Sequence, residues 1–124
     1  MNRSFWNGFL VGAALGIASF ARADGQAFGS IYKSIGHSME PAIHDGQSVV
    51  IDLYFPFNSL KVGDIVVYNR TWSAPAGAPA WVEHRIVRRN IFGLWITKGD
   101  NNDREDPYGV SVRNYVGKVL KVLK

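Results

Sequence analysis

Short runs of β-branched and aromatic residues, separated by turn formers, dominate this chain. From residue 26 onward the runs lie at residues 48–54, 64–69, 81–89, 91–97 and 115–123. Runs of this length and spacing, bounded by glycine, proline, asparagine and aspartate, predict an all-β sheet or barrel. The run at 48–54 lacks a clean alternation of polar and apolar residues, so its burial on one face or on both stays open.

The N-terminus has the features of a membrane-targeting segment. Residues 5–20 carry no charge. This stretch is slightly shorter than the roughly 20 apolar residues of a spanning helix and is rich in glycine and alanine, like the apolar region of a signal peptide. Ala21 and Ala23 form an A-x-A cleavage pattern, whereas Arg22 would suit the end of a retained anchor. We therefore predict an apolar helix within residues 1–23, as a single-pass anchor or a cleaved signal peptide, with a buried soluble helix as the third alternative.

Composition favours one packed domain over residues 24–124. The chain has 124 residues, of which 47% are hydrophobic and 19% charged, as in ordinary globular proteins. The net charge of +4 is scattered and forms no basic stripe with interleaved aromatic residues, so we expect no nucleic-acid partner. The chain has no cysteine, which excludes disulfides, thiolate nucleophiles and cysteine metal sites. Nucleophilic catalysis in such a chain requires an oxygen nucleophile.

Residues 36–41 (GHSMEP) place Ser38 in a turn ahead of a predicted strand. Such a turn can expose the serine hydroxyl, and a nearby glycine allows a substrate backbone to approach closely. Amides of the turn can also face the carbonyl oxygen that becomes negative during acyl transfer. Taken alone, however, a serine in a Gly/Pro turn is more often a turn former or a helix cap.

His84 is a candidate general base within the run at 81–89. An imidazole titrates near neutral pH and can take a proton from a hydroxyl, although a lone strand histidine is more often satisfied by its neighbours. The loop that follows the run at 91–97 offers four acids, at Asp100, Asp103, Glu105 and Asp106. One of them could fix the histidine tautomer. The alternative is a solvated turn or a calcium-like loop, but the alternation and terminal glutamate of an EF-hand loop are missing.

Five blocks of the sequence, taken in order and spacing, resemble the successive motifs of the type-I signal peptidase family. The blocks are Gly36-x-Ser38-Met39-x-Pro41, residues 61–67 (KVGDIVV), 84–87 (HRIV), 97–102 (TKGDNN) and 116–119 (VGKV). The likeness extends from residue 35 to residue 119. It implies a signal-peptidase-like β-barrel or sheet at the outer face of a membrane, a serine acyl-enzyme, and substrates with small residues before the scissile bond.

The resemblance also implies roles for individual residues. His84 stands where the usual bacterial enzymes have a lysine base, so the chain resembles the Ser/His branch typical of the endoplasmic reticulum, archaea and some spore formers. In that branch Ser38 is the nucleophile and His84 the general base. Asp106 is then the expected partner of the histidine, and Asp100 has a structural or supporting role. The mechanism needs no metal or cofactor.

The surroundings of the nucleophile are only partly defined by the resemblance. The Ser38 backbone amide is expected to contribute to the oxyanion hole. Many relatives add a serine hydroxyl two residues earlier, but this chain has Gly36 there, which leaves the second donor open. Met39 is expected to pack beside the nucleophile. His37 and His44 receive no role, because no metal-ligand spacing links them to an acidic partner.

The predicted function is a serine endopeptidase that removes N-terminal signal peptides from translocated precursors. Its partners would be precursor proteins and membrane lipid, with the catalytic domain on the extracytoplasmic side; the oligomeric state is not predicted. One alternative is a self-cleaving repressor-type serine protease, but those are Ser/Lys enzymes with a DNA-binding domain, for which we expect no room before Gly36. The other is a catalytically silent, peptide-binding envelope or phage domain, which the presence of both Ser38 and His84 disfavours.

Overall fold

The computed structural model of the chain describes residues 9–11, 20–21, 27–70 and 80–124. These residues form strands, turns and one short 3-10 helix at Phe57–Ser59. The strands are Phe9–Val11 (β1), Phe20–Ala21 (β2), Ala27–Ile35 (β3), Ser48–Asp52 (β4), Ile65–Asn69 (β5), Trp81–Arg89 (β6), Trp95–Lys98 (β7) and Tyr115–Val122 (β8). The predicted mainly-β class is confirmed.

Six of the strands form one antiparallel sheet in the order β3-β4-β8-β5-β6-β7. β2 pairs with β3, and β1 pairs with β3 and makes one further pair with β6. Within this sheet His84 lies opposite Val66 of β5. Because side chains alternate along a strand, His84 shares its face of β6 with Val82 and Ile86, and Glu83 projects from the opposite face.

The helix predicted within residues 1–23 is not confirmed. In that segment the structure describes only β1 and β2, and the rest of the segment lies outside the described residues. Within the described ranges, no helix has the length and apolar character needed to span a membrane. The anchor and signal-peptide assignments of this segment stay predictions.

Apolar side chains cover both faces of the central strands. On β5, Val66 and Tyr68 belong to one buried cluster, whereas Val67 belongs to another. On β4, residues 49–52 are all buried. Burial on both faces explains why the runs at 48–54 and 64–69 lack alternation, since neither face has to be polar.

The predicted strand at 91–97 is wrong in its first half. β7 begins only at Trp95, and the residues before it form a turn. Asn90 Oδ1 accepts hydrogen bonds from the backbone N–H groups of Phe92 and Leu94, both at 2.9 Å, and Gly93 has a φ of 78°. Asparagine and glycine supply the side-chain acceptor and the positive φ of a tight turn, and here they override the β propensity of their apolar neighbours.

β3 was not among the predicted strands. Near its end the expected pattern is inverted, because Ser34 is buried and Ile35 is 39% exposed. A polar residue that faces inward and an apolar one that faces outward remove the alternation signal. This strand leads directly into the segment at 36–41.

Candidate active site

Ser38 lies in the turn that joins β3 to β4. The base of this turn is closed by two backbone hydrogen bonds of Ser34, whose N–H donates to Gln47 O and whose carbonyl accepts from Gly46 N–H, both at 2.8 Å. Inside the turn, Ile43 N–H donates to Met39 O at 3.0 Å. These bonds make the turn a closed unit, in contrast to a loose loop. The predicted exposure of the hydroxyl is wrong, because Ser38 is only 1% exposed.

His84 and Asp106 reach the site from β6 and from the loop after β7. The backbone N–H of Asp106 donates to Thr97 O at 2.8 Å, which folds the loop back along β7. A little further on, Val110 and Trp95 exchange two backbone hydrogen bonds of 2.8 and 3.1 Å. The return of the loop along its own strand brings an acid that follows His84 by 22 positions beside the imidazole.

The structure brings Ser38, His84 and Asp106 into one hydrogen-bonded series. Ser38 Oγ lies 3.0 Å from His84 Nε2, and His84 Nδ1 lies 2.6 Å from Asp106 Oδ2. All three side chains are buried. An ionised carboxylate can only accept, so the proton of a neutral imidazole belongs on Nδ1 and the Nε2 lone pair faces the serine hydroxyl. This is the arrangement in which a histidine can remove a proton from serine.

Asp106 has two further donors that the sequence analysis missed. Thr97 Oγ1 donates to Asp106 Oδ2 at 2.6 Å, and Tyr68 OH donates to the same oxygen at 2.9 Å. With His84 Nδ1, three donors therefore meet one carboxylate oxygen. Thr97 stands at the head of the TKGDNN block, and a tyrosine within a buried strand needs a partner for its hydroxyl. Neither of these sequence features identifies Asp106 as the hydrogen-bond acceptor.

The Tyr68 hydroxyl stays protonated near neutral pH and remains a hydrogen-bond donor. Burial of the phenol, followed by the negative charge of Asp106, raises the pKa of Tyr68 well above its ordinary range. Both causes disfavour the phenolate. The hydroxyl thus keeps its proton, and Asp106 keeps this donor beside the imidazole.

Asp100 lies with Arg85 instead of with the histidine. Arg85 donates from Nε to Asp100 Oδ1 at 2.8 Å and from Nη2 to Asp100 Oδ2 at 2.7 Å. A third donor of the same guanidinium, Nη1, reaches Gly63 O at 2.9 Å. This bidentate pair joins the KVGDIVV, HRIV and TKGDNN blocks. The geometry gives Asp100 a place in the scaffold and gives Asp106 the place beside His84.

The TKGDNN block also supports the nucleophile turn directly. Asn101 N–H donates to Ser38 O at 2.7 Å, and Asn101 Nδ2 donates to His37 O at 3.1 Å. A Cβ on Gly99 would lie 2.8 Å from Ser38 O and 2.6 Å from Asn102 Nδ2. Only glycine fits at position 99, because a side chain there would push the loop away from the serine.

The other residues singled out from the sequence lie around this centre. Met39 is 1% exposed and packs in the buried cluster that contains Ile43. His37 Nδ1 is hydrogen-bonded to Glu40 at the surface, and His44 Nδ1 lies 3.7 Å from the same carboxylate. Among the residues that the structure describes, no group of three or more His, Cys, Asp or Glu side chains is arranged to hold a metal ion.

The amide of Gly36 is engaged away from the nucleophile. Gly36 has a φ of 98°, and its N–H donates to Asp45 Oδ1 at 2.8 Å. It therefore does not replace the serine hydroxyl that many relatives carry at this position. The Ser38 N–H stays the predicted oxyanion donor.

Comparison with known proteins agrees with the resemblance. The signal peptidase complex catalytic subunit SEC11 of Komagataella phaffii is 36% identical over 80 residues. This chain is a distant relative of that signal peptidase subunit. The match covers 56% of this chain and 41% of SEC11, so the chain spans less than half of its relative. No family model matches the chain, and no solved structure matches it.

The match is to a signal peptidase subunit, the class of protein that the five sequence blocks resemble. The name of SEC11 describes the catalytic subunit of a complex.

Proposed function

We propose that this chain is a serine endopeptidase that removes N-terminal signal peptides from translocated precursor proteins. The observation that carries the proposal is the hydrogen-bonded series from Ser38 Oγ through the His84 ring to Asp106 Oδ2. The distant homology to a signal peptidase subunit gives the class of substrate. Residues 24–124 would form the catalytic domain, with residues 1–23 as anchor or signal peptide.

The proposed reaction begins when Ser38 Oγ attacks the scissile carbonyl while His84 Nε2 takes the hydroxyl proton. Asp106 stabilises the imidazolium that forms, and its contacts with Thr97 and Tyr68 hold the carboxylate in place. His84 then gives the proton to the leaving amine, which departs and leaves an acyl-enzyme on Ser38. A water molecule, activated by the same imidazole, hydrolyses the acyl-enzyme. Burial of the site strengthens each of these electrostatic contacts.

Substrate preference and location follow from the family likeness. We propose that the precursors carry small residues before the scissile bond and that the catalytic domain works on the extracytoplasmic side of a membrane. Membrane lipid and the precursors are the proposed partners. No cofactor takes part in the proposed reaction.

The test uses the full chain purified in detergent and two matched precursors. One precursor carries an Ala-x-Ala site, and the other has phenylalanine in place of the alanine before the scissile bond. We expect a new N-terminus directly after the Ala-x-Ala site, formed at least about tenfold faster than in the phenylalanine precursor because a small pocket excludes the larger ring. Mass spectrometry of the products maps the cut, and a Ser38→Ala chain purified in parallel controls for contaminating peptidases. Equal cleavage of both precursors would contradict the small-residue preference, and cleavage of neither would contradict the peptidase proposal.

A second prediction concerns the support of Asp106. Tyr68→Phe removes one of the three donors on Asp106 Oδ2 and leaves the contacts with His84 and Thr97. We expect kcat to fall by roughly tenfold, because a hydrogen bond to a charged group contributes about 1.5–3 kcal/mol and part of that is recovered by relaxation. Steady-state kinetics with the Ala-x-Ala precursor measure the loss. Tyr54→Phe is the matched control, since Tyr54 is 73% exposed. An equal loss in both variants would remove Tyr68 from the mechanism.

A further inference from the structure

Glu83 is a buried carboxyl group that the proposed mechanism does not use. It precedes His84 on β6, projects from the opposite face of the strand, and is 0% exposed. Its Oε1 accepts a hydrogen bond from Ser34 Oγ. Its Oε2 makes no hydrogen bond among the residues that the structure describes. Burying a carboxyl group with one unpaired oxygen costs free energy of folding, so its place in the core requires a physical explanation.

Ser34, the partner of Glu83, belongs to the base of the nucleophile turn. Its backbone makes the two hydrogen bonds that close the turn, and Ser38 follows four positions later. In the sheet, β4, β8 and β5 lie between the strand of Ser34 and the strand of Glu83. On the other side only β1 lies between them among the described residues: it pairs with β3 at residues 9–11 and with β6 at Phe9 alone. The Ser34–Glu83 contact therefore joins, by side chains, the part of the fold that carries the serine to the strand that carries the histidine.

We propose that Glu83 is a positioning residue, which fixes the base of the Ser38 turn at a set distance from β6 through its hydrogen bond to Ser34. This inference rests on the proposed function. Ser38 Oγ has to stay within hydrogen-bond reach of His84 Nε2, at the 3.0 Å observed. Displacement of a reacting group by about 1 Å can lower a rate by about 100-fold. The Ser34–Glu83 hydrogen bond connects the turn that carries Ser38 to the strand that carries His84. It can therefore hold Oγ at a fixed distance from Nε2.

The protonation state of Glu83 suits this role. Burial raises the pKa of Glu83 to about 8, although the Ser34 hydrogen bond opposes the shift. At neutral pH the group is mostly a neutral acid, which avoids a buried charge. No ion pair compensates the charged form among the described residues: Lys33 on β3 is exposed, Val67 faces Glu83 from β5, and Arg85 is paired with Asp100. Ionisation at alkaline pH would therefore place an uncompensated charge in the core and destabilise the packing around the contact, even though the Ser34 hydrogen bond itself favours the charged form.

The raised pKa of Glu83 also determines how the stability of the fold changes with pH. The pKa of Glu83 rises on folding from 4.5 to about 8, so its contribution is complete below pH 4.5 and is lost as the pH rises through about 8. Glu83→Gln keeps an oxygen that can accept from Ser34 and cannot ionise. This variant should lose less thermal stability than the wild type between about pH 6 and pH 9.

The experiment compares four chains. They are the wild type, Glu83→Gln, the double variant Glu83→Val with Ser34→Ala, and the control Glu105→Gln, which changes an exposed carboxylate. We expect Glu83→Gln to keep kcat within about threefold at neutral pH and to extend activity above pH 8, where the wild type declines. Removal of both buried polar partners leaves no unsatisfied group, so the double variant should keep its unfolding temperature. Its kcat should still fall by at least about tenfold with little change in KM, because the Ser34–Glu83 hydrogen bond is gone.

A spectroscopic readout separates this inference from the proposed function. The ¹⁵N shift of His84 Nε2 reports whether the Ser38 hydroxyl donates to it, and Ser38→Ala supplies the reference for a ring without that bond. We expect the wild type and Glu83→Gln to share one shift and the double variant to move toward the Ser38→Ala reference. A folded double variant with wild-type kcat and Nε2 shift would overturn the positioning role and leave the peptidase proposal standing. If no chain cleaves a precursor, the peptidase proposal fails, and the Nε2 shifts alone decide the role of Glu83; a wild-type shift equal to the reference overturns that role.

Discussion

Ser38→Ala is expected to lower kcat for an Ala-x-Ala precursor by on the order of 10⁴-fold or more, because the variant lacks the oxygen that forms the acyl-enzyme in the proposed mechanism. Ser38 Oγ is hydrogen-bonded to His84 Nε2, and in the proposed reaction it forms the bond to the acyl group. Its loss also leaves Nε2 without that buried partner, which costs about 1–3 kcal/mol of stability. The unfolding temperature should therefore drop by roughly 3–15 °C, and an assay at 25 °C keeps the variant folded. Cleavage is measured by product formation and folding by circular dichroism.

The matched control for this variant is Ser59→Ala. Ser59 is an exposed serine in the 3-10 helix. It should retain kcat within about twofold, since surface substitutions change stability by less than about 0.5 kcal/mol. If Ser38→Ala turns over the precursor at a rate comparable to that of Ser59→Ala, the serine mechanism is wrong.

Most of the sheet could be predicted from the sequence because its central strands are apolar on both faces. The runs that became β4 and β5 consist largely of β-branched and aromatic residues, and those that became β6 and β8 contain several of them among charged residues. β3 escaped prediction because its inward side chain at position 34 is polar and its outward one at position 35 is apolar. Such an inversion is invisible to pattern analysis, since it arises from a partner on a distant strand.

The candidate site was predictable only in part. The resemblance to signal peptidases supplied Ser38, His84 and Asp106 as candidates, and the fold supplied their contacts. Tyr68 and Thr97 could not be assigned from the sequence, because both hydroxyls donate hydrogen bonds to Asp106 Oδ2 only in the folded protein. Glu83 was equally hidden, because a charged residue in a strand is normally assigned to the solvent face. Tertiary contacts of this kind carry no local signature.

Asp100 and Asp106 lie in the same loop after β7 but differ in burial and in their partners. Asp100 neutralises Arg85 at a partly exposed position, with side-chain exposures of 23% and 34%. Asp106 is buried against an imidazole and two hydroxyl groups. An ion pair near the surface contributes little to stability, whereas a buried carboxylate beside a histidine acts on every proton transfer through that ring. The two acids should therefore respond very differently to the same chemical change.

Asp106→Asn is expected to lower kcat toward 10⁴-fold, the loss that follows when the orienting acid of a serine triad becomes an amide. The amide removes the negative charge that stabilises the imidazolium, and an amide nitrogen turned toward His84 would favour the wrong tautomer. In the other orientation, with the amide oxygen in the place of Oδ2, the oxygen still accepts from His84, Tyr68 and Thr97, so the fold should be kept and the loss comes from the missing charge. Steady-state kinetics and thermal unfolding are measured together.

Asp103→Asn is the control within the same loop, because Asp103 is exposed. Its kcat should change by less than about tenfold, as expected for a solvated turn residue. Asp100→Asn breaks the bidentate pair with Arg85 and should cost mainly stability, at most about 1 kcal/mol for a partly exposed pair. If Asp100→Asn proves the crippling change and Asp106→Asn is harmless, the roles of the two acids are reversed while Ser38 and His84 keep theirs. Since both amides preserve side-chain size, such a result would mean that the charge at position 100 acts on the imidazole more strongly than the carboxylate in contact with Nδ1.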